Sequence, residues 1–208
     1  MASAIIHISV ANEINKKLKM NNDLLLIGSI APDLAKLIGK TKDKGHFLFG
    51  DKGTPHIDKF LLKYRIDNPF NMGYYIHLYT DLYWFRDLLP KHYKNKKLVF
   101  KNGKELDIPF EKRLEAIYKD YTSLNNILIK KYNIDTSFLN KEYKIDTEIS
   151  ELDFTKLNLL TKETNKLINE SVTYPLEIFD ELEIVEFINS CVENILKEVE
   201  NEQFNTSK

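Results

Sequence analysis

Four ionisable side chains stand in stretches of sequence that are otherwise apolar, and a fifth, His46, stands in a glycine-flanked segment; together their types match a metal-ligand set. Three are imidazoles and two are carboxylates, drawn from four separate segments: His7, Asp33, His46, His77 and Asp81. A buried charge without a partner costs several kcal/mol, so such side chains must meet one another, another polar group or a cation. Three imidazoles with two carboxylates suit one or two borderline cations such as Zn²⁺. The sequence therefore predicts a metal site.

The central part of this set is a pair within a helical pattern. Residues 69–85 read PFNMGYYIHLYTDLYWF, which is apolar or aromatic around almost the whole helical circumference and predicts a buried central helix. His77 and Asp81 are four residues apart and so share one face, with Cβ atoms about 5–6 Å apart. Taken alone, this pair is also typical of a structural hydrogen bond, and a lone buried histidine is also typical of a hydrogen-bonded core residue.

The order of these motifs resembles a known family. His7, then Ala-Pro-Asp33, then Gly-His46-Phe, then GYYIHLYTD with His77 and Asp81 resembles the bacterial zinc-dependent phospholipase C family, whose fold is shared with the fungal single-strand nucleases. The resemblance covers about the first 90 residues. It implies that Asp33, His46, His77 and Asp81 surround one Zn²⁺, and that Asp81 bridges to a second Zn²⁺ held by His7.

The resemblance also implies some additional ligands. In secreted relatives the processed N-terminal residue binds the second metal, and removal of Met1 would place the amine of Ala2 shortly before His7. The relatives with three zinc ions use a histidine six residues after the bridging carboxylate, and Asp87 stands at that position here. No later histidine is followed by an acid at the family's spacing, and Asp120 is the best remaining acid. Two metals are therefore expected, with a third, oxygen-rich site through Asp87 and Asp120 as an additional hypothesis.

The chemistry that this resemblance implies is hydrolysis of a phosphoester by water activated between two metals. Asp33 or Asp81 would steer the proton and is expected to be catalytic. The substrate would be a small phosphoester or a phospholipid head group, with nucleotides or nucleic acid as alternatives. Imidazole and carboxylate also suit Mn²⁺ and Fe²⁺. A different hypothesis is a non-catalytic helical module in which a metal joins the helices, and a third is that the buried pairs bind no metal.

The remaining periodicity predicts an all-α fold: a helical bundle around the buried metal-binding helix, with a small β-hairpin inserted near residues 97–108. The hairpin is predicted because Asn102-Gly103 lies between two short strand-like segments. Residues 39–55 are predicted to form a loop, and residues 133–153 a polar linker. One domain is expected over residues 1–200, followed by a flexible tail at 201–208.

Composition sets the broad class of protein. Thirty Lys and Arg against 31 Asp and Glu give a formal net charge of −1, so there is no strong signal for nucleic-acid binding. No apolar run reaches about 18 residues, which predicts no transmembrane segment, and the first residues lack the pattern of an export signal. The single Cys191 has no partner for an internal disulfide. A cytoplasmic location is expected.

Overall fold

The computed structural model describes residues 1–49 and 53–206, with side chains described as far as residue 200. Ten α-helices fall within this part of the chain: α1 (Ala4–Lys17), α2 (Asp23–Gly28), α3 (Leu34–Leu37), α4 (Lys42–His46), α5 (Ile57–Leu61), α6 (Pro69–Tyr83), α7 (Leu89–His92), α8 (Phe110–Lys131), α9 (Leu157–Asn169) and α10 (Glu181–Thr206). Short 3₁₀ turns form at Ala31–Asp33, Thr136–Asn140 and Phe154–Lys156, and a π-helical turn joins α6 to α7 at Trp84–Leu88. The predicted all-α fold with a small β insertion is confirmed.

Helix α6 is the buried centre of the bundle. Asn68 caps its N-terminus by accepting a hydrogen bond from the Asn71 amide at 2.9 Å, and Pro69 occupies the first turn, where its missing N–H is not needed. Twelve of its 15 residues are buried, as its apolar circumference predicts. Helices α1, α2, α5 and α10 pack against it.

The β insertion contains one strand more than predicted. Strands β1 (Tyr93–Lys94), β2 (Lys97–Val99) and β3 (Glu105–Leu106) form an antiparallel sheet in the order β1-β2-β3. Leu98 pairs with both Tyr93 and Leu106. The expected turn is present, with Gly103 at φ 80°, and a second turn at Asn95 and Lys96 also has positive φ. That second turn was missed because Asn-Lys is a weaker hairpin signal than Asn-Gly.

Three predicted boundaries differ from the structure. The expected loop at 39–55 contains α4, which carries His46. The linker at 133–153 packs on the core, because Phe138, Ile149 and Leu152 are buried. Helix α10 continues to Thr206, six residues beyond its expected end, and residues 207–208 of the predicted tail lie outside the described residues. Among the described residues, no helix has the length and apolarity needed to cross a bilayer.

Candidate metal centre

The five predicted ligands converge in the structure. On α6, His77 Nε2 lies 3.6 Å from Asp81 Oδ2, as the four-residue spacing predicts. Helix α1 brings His7 Nε2 to 3.4 Å from the other oxygen of the same carboxylate, Oδ1, and stacks the His7 ring on that of His77 with centroids 3.7 Å apart. Asp81 therefore faces a different histidine with each of its two oxygens.

The second half of the cluster comes from the segment between α2 and α4. Asp33 is the last residue of the 3₁₀ turn Ala31–Asp33, which has Pro32 in its middle, and His46 is the last residue of α4. His46 Nε2 lies 3.4 Å from Asp33 Oδ1 and 3.9 Å from Asp81 Oδ2. Two groups able to hold a cation result, one of His7, His77 and Asp81 and one of Asp33, His46 and His77, each with its ligand atoms within 4.8 Å of one another.

Backbone carbonyls fix the tautomers of two of the histidines. His77 Nδ1 lies 2.7 Å from the Ser29 carbonyl oxygen, and His46 Nδ1 lies 3.1 Å from that of Lys42. A carbonyl oxygen only accepts, so Nδ1 carries a proton, and in the neutral ring this leaves the lone pair of Nε2 to the cluster. This is the outer arrangement that orients metal-binding histidines in proteins.

Several buried polar atoms of the cluster have no hydrogen-bond partner among the residues that the structure describes. They are both ring nitrogens of His7, Nε2 of His46, Nε2 of His77 and Oδ2 of Asp81. An unsatisfied buried polar atom costs about 1–3 kcal/mol, and most buried polar atoms in proteins are paired. The three Nε2 atoms and the carboxylate oxygen are the donor types that a cation needs.

Burial and mutual charge shift the pKa values in this cluster. Burial lowers the pKa of His7 to about 4, and the charge of His77 adds to this, against the opposing effect of Asp81. Burial alone would raise the pKa of both carboxylates, but the neighbouring imidazoles lower that of Asp33 to about 2 and that of Asp81 well below its ordinary range. Both acids are therefore ionised at neutral pH.

A close helix crossing brings the Ser29 carbonyl to His77. A Cβ atom on Gly73 of α6 would lie 2.2 Å from the Leu25 carbonyl oxygen, and one on Gly28 of α2 would lie 2.2 Å from the Phe70 carbonyl oxygen. Only glycine allows the two backbones to approach this closely. A hydrogen bond also joins α6 to α4: the Tyr74 hydroxyl donates to the carbonyl of Gly45, the residue before His46.

The three additional predicted ligands lie in different surroundings. The Ala2 nitrogen donates to Asp81 Oδ1 at 3.1 Å, so it lies at the cluster as a peptide N–H, and the preceding Met1 carbonyl accepts from the Tyr121 hydroxyl. Asp87 is half exposed and forms an ion pair with Arg86. Both oxygens of Asp120 accept backbone N–H groups of residues 177–179. Neither Asp87 nor Asp120 joins either metal-binding group found among the described residues.

Sequence reasoning missed the groups that orient the ligands. Ser29 and Lys42 act through their carbonyl oxygens, which every residue possesses, so no residue type marks them. The only available signal was the pair of glycines in α2 and α6, which indicates a close helix contact.

Comparison with known proteins adds no relative: no protein-family model, curated protein or solved structure matches this chain.

Proposed function

We propose that this protein is a metal-dependent phosphoester hydrolase that holds two Zn²⁺ ions, as in the bacterial phospholipase C family that its motifs resemble. The observation that supports this is the set of orphaned donor atoms: three histidine Nε2 atoms and one carboxylate oxygen, buried together without hydrogen-bond partners. Asp33, His46, His77 and Asp81 would hold one ion, and Asp81 would also contribute to the second, together with His7. Mn²⁺ or Fe²⁺ would suit the same donors.

The residues suit a pair of divalent metal ions by their charge as well as by their donor atoms. The two ionised carboxylates bring negative charge to the imidazoles, and this combination of ligands favours divalent cations. When bound, a pair of such ions polarises a phosphoryl oxygen and acidifies a water molecule, which is the chemistry that phosphoester hydrolysis requires. The chain itself holds His46 and His77 in one tautomer and keeps bulk water away from His7, His77 and Asp81.

Asp33 is the member of the cluster that solvent reaches. Its side chain is 25% exposed, whereas those of His7, His46, His77 and Asp81 are at most 1% exposed. A substrate would therefore enter beside Asp33. We assign Asp33 the steering of the proton at this opening, with Asp81 as the shared carboxylate between the two ions.

The substrate class in this proposal is a small phosphoester or a phospholipid head group, with a nucleotide as the alternative. A cytoplasmic location is part of the proposal, because Cys191 is a free, buried thiol and fits a reducing compartment.

A second function has an observation of its own in its favour. The near-complete burial of four of the five ligands is typical of a closed structural site, in which the protein supplies every ligand and no position remains for water. The alternative is thus a non-catalytic helical module joined by one metal. The number of metal ions per chain distinguishes the hydrolase from the structural module, because a closed site of four ligands holds a single ion.

The test is hydrolysis of bis(4-nitrophenyl) phosphate and of 4-nitrophenylphosphorylcholine by zinc-reconstituted protein. Wild type should release 4-nitrophenol. The rate of hydrolysis should fall about a hundredfold or more in Asp33→Asn, which is the effect of removing a general base. Asp87→Asn is the matched control, because Asp87 is an exposed aspartate on an ion pair outside the cluster. Protein that binds metal but hydrolyses neither ester would favour the structural metal site.

A further inference from the structure

A second surface, separate from the metal-ligand set, forms where the turn between β1 and β2 meets helix α8. We call it the ribbon surface and define it by six residues: Tyr93, Lys94, Lys96, Phe110, Arg113 and Tyr118. Arg113 joins its two halves, because its guanidinium donates to the Tyr93 hydroxyl and, at 3.0 Å, to the Lys96 carbonyl. The same guanidinium lies over the rings of Tyr93 and Phe110, at 5.1 and 6.0 Å from their centroids.

The aromatic members of this surface are unusually exposed for their size. Tyr93, Phe110 and Tyr118 are 42, 60 and 54% exposed. With Arg113 they border an apolar cavity of about 320 Å³ whose walls include Trp84 and Leu98. A contiguous group of exposed aromatic side chains around an apolar cavity is typical of an interaction site.

The charge around these rings is strongly positive. Residues 91–119 contain nine Lys and Arg against four Asp and Glu, although the whole chain carries a formal charge of −1. Four of these lysines have acidic partners: Lys91, Lys97, Lys112 and Lys119 pair with Glu183, Glu105, Glu115 and Glu177. In contrast, Lys94 and Lys96 are exposed, and no ion pair is found for them among the described residues. Their charge is available to an anionic partner.

We propose that the ribbon surface docks the protein on an anionic lipid bilayer. Aromatic side chains with a polar end favour the head-group region of a membrane, and lysine stems cover apolar surface while their ammonium groups reach anionic head groups. The contact is peripheral, since no helix in the described part of the chain could cross a bilayer. This inference does not depend on the proposed function.

The structure favours a bilayer over single-stranded nucleic acid as the partner. Base stacking needs an open aromatic face, and Arg113 already covers one face of both Tyr93 and Phe110. Both residues border an apolar cavity rather than a polar groove that would follow a phosphate backbone.

The test is flotation of the full chain with vesicles of phosphatidylcholine alone and of phosphatidylcholine with phosphatidylserine. We expect binding to the serine-containing vesicles only, weakening as salt is raised. Lys94→Gln with Lys96→Gln should lower the partition coefficient about fivefold per lysine, so about 25-fold in total. The matched control is Lys162→Gln with Lys166→Gln, which removes two exposed charges from α9 and should leave binding unchanged.

The apolar contribution is tested by Phe110→Ser, which should weaken the binding that remains at high salt, since that part is not electrostatic. Three results would each overturn the proposal: no binding to either vesicle, equal loss in the Lys162 and Lys166 control, or binding to a single-stranded oligonucleotide without binding to vesicles.

Discussion

Gly73→Ala is the substitution that most directly probes how the fold orients the metal ligands. The new Cβ would lie 2.2 Å from the Leu25 carbonyl oxygen, 2.9 Å from Gly28 Cα and 2.9 Å from the Ser29 nitrogen. All three are backbone atoms, so α2 and α6 must separate by about 1 Å to reach ordinary contact distance. Such overpacking costs about 1–3 kcal/mol of unfolding free energy, partly offset by the helix propensity of alanine.

The same separation would break the hydrogen bond that fixes His77. A 2.7 Å contact between His77 Nδ1 and the Ser29 carbonyl oxygen, lengthened by about 1 Å, is no longer a hydrogen bond. Loss of such an orienting partner weakens metal binding about 10–100-fold. We therefore expect Gly73→Ala to lower both stability and zinc affinity.

The assay is urea unfolding of the metal-free protein, together with zinc competition against a chromophoric chelator where the variant is folded. The control is Leu128→Ala, a truncation of a buried α8 side chain outside the cluster, which should cost about 2–5 kcal/mol yet leave zinc affinity unchanged. A Gly73→Ala variant with the same stability and zinc affinity as the wild type would refute the reasoning.

Three further predictions follow from the same contacts. A free zinc concentration of about a hundred times the Kd should raise the unfolding free energy by about 2.7 kcal/mol, which raises the Tm by about 5–11 °C. The same Tm with and without EDTA would count against a metal site. The pKa of His7 is about 4 in the folded chain and near 6.5 when unfolded, so the unfolded state takes up the proton first. Metal-free protein should therefore lose about 3 kcal/mol of stability from His7 as pH falls from 6.5 to 4, a slope that urea titrations should find reduced in His7→Gln. Asp120→Ala should lower the unfolding free energy in urea by about 3 kcal/mol, because the N–H groups of residues 177–179 lose their acceptor. Its metal content should stay at the wild-type level, and a loss of metal would show that Asp120 is a metal ligand.

Four of the five ligands were predictable because each breaks an apolar pattern, whereas His46 was a further candidate from a glycine-flanked segment. A charged or imidazole side chain inside a buried stretch demands a partner, and the four-residue spacing of His77 and Asp81 fixes their shared face. The bundle was predictable for the related reason that α6 is apolar on all sides. These are local signals, readable within a single helix.

Features that depend on tertiary contacts were not predictable. Asp120 looked available as a ligand, yet both of its oxygens accept hydrogen bonds from the backbone of residues 177–179. These residues are 57 or more positions away in the sequence. Asp87 stands at a family position but pairs with its neighbour Arg86. Helix α4 was missed because glycines are frequent in its surroundings, although its last residue carries His46.

The most direct test of the central claim is the metal content per chain, by elemental analysis of protein purified without a histidine tag. Wild type should contain two zinc ions, Asp81→Ala should lose most of them because the carboxylate faces both halves of the cluster, and the exposed control Asp87→Ala should retain both. Wild type without metal above background, or Asp81→Ala with a full complement, would contradict the two-metal centre.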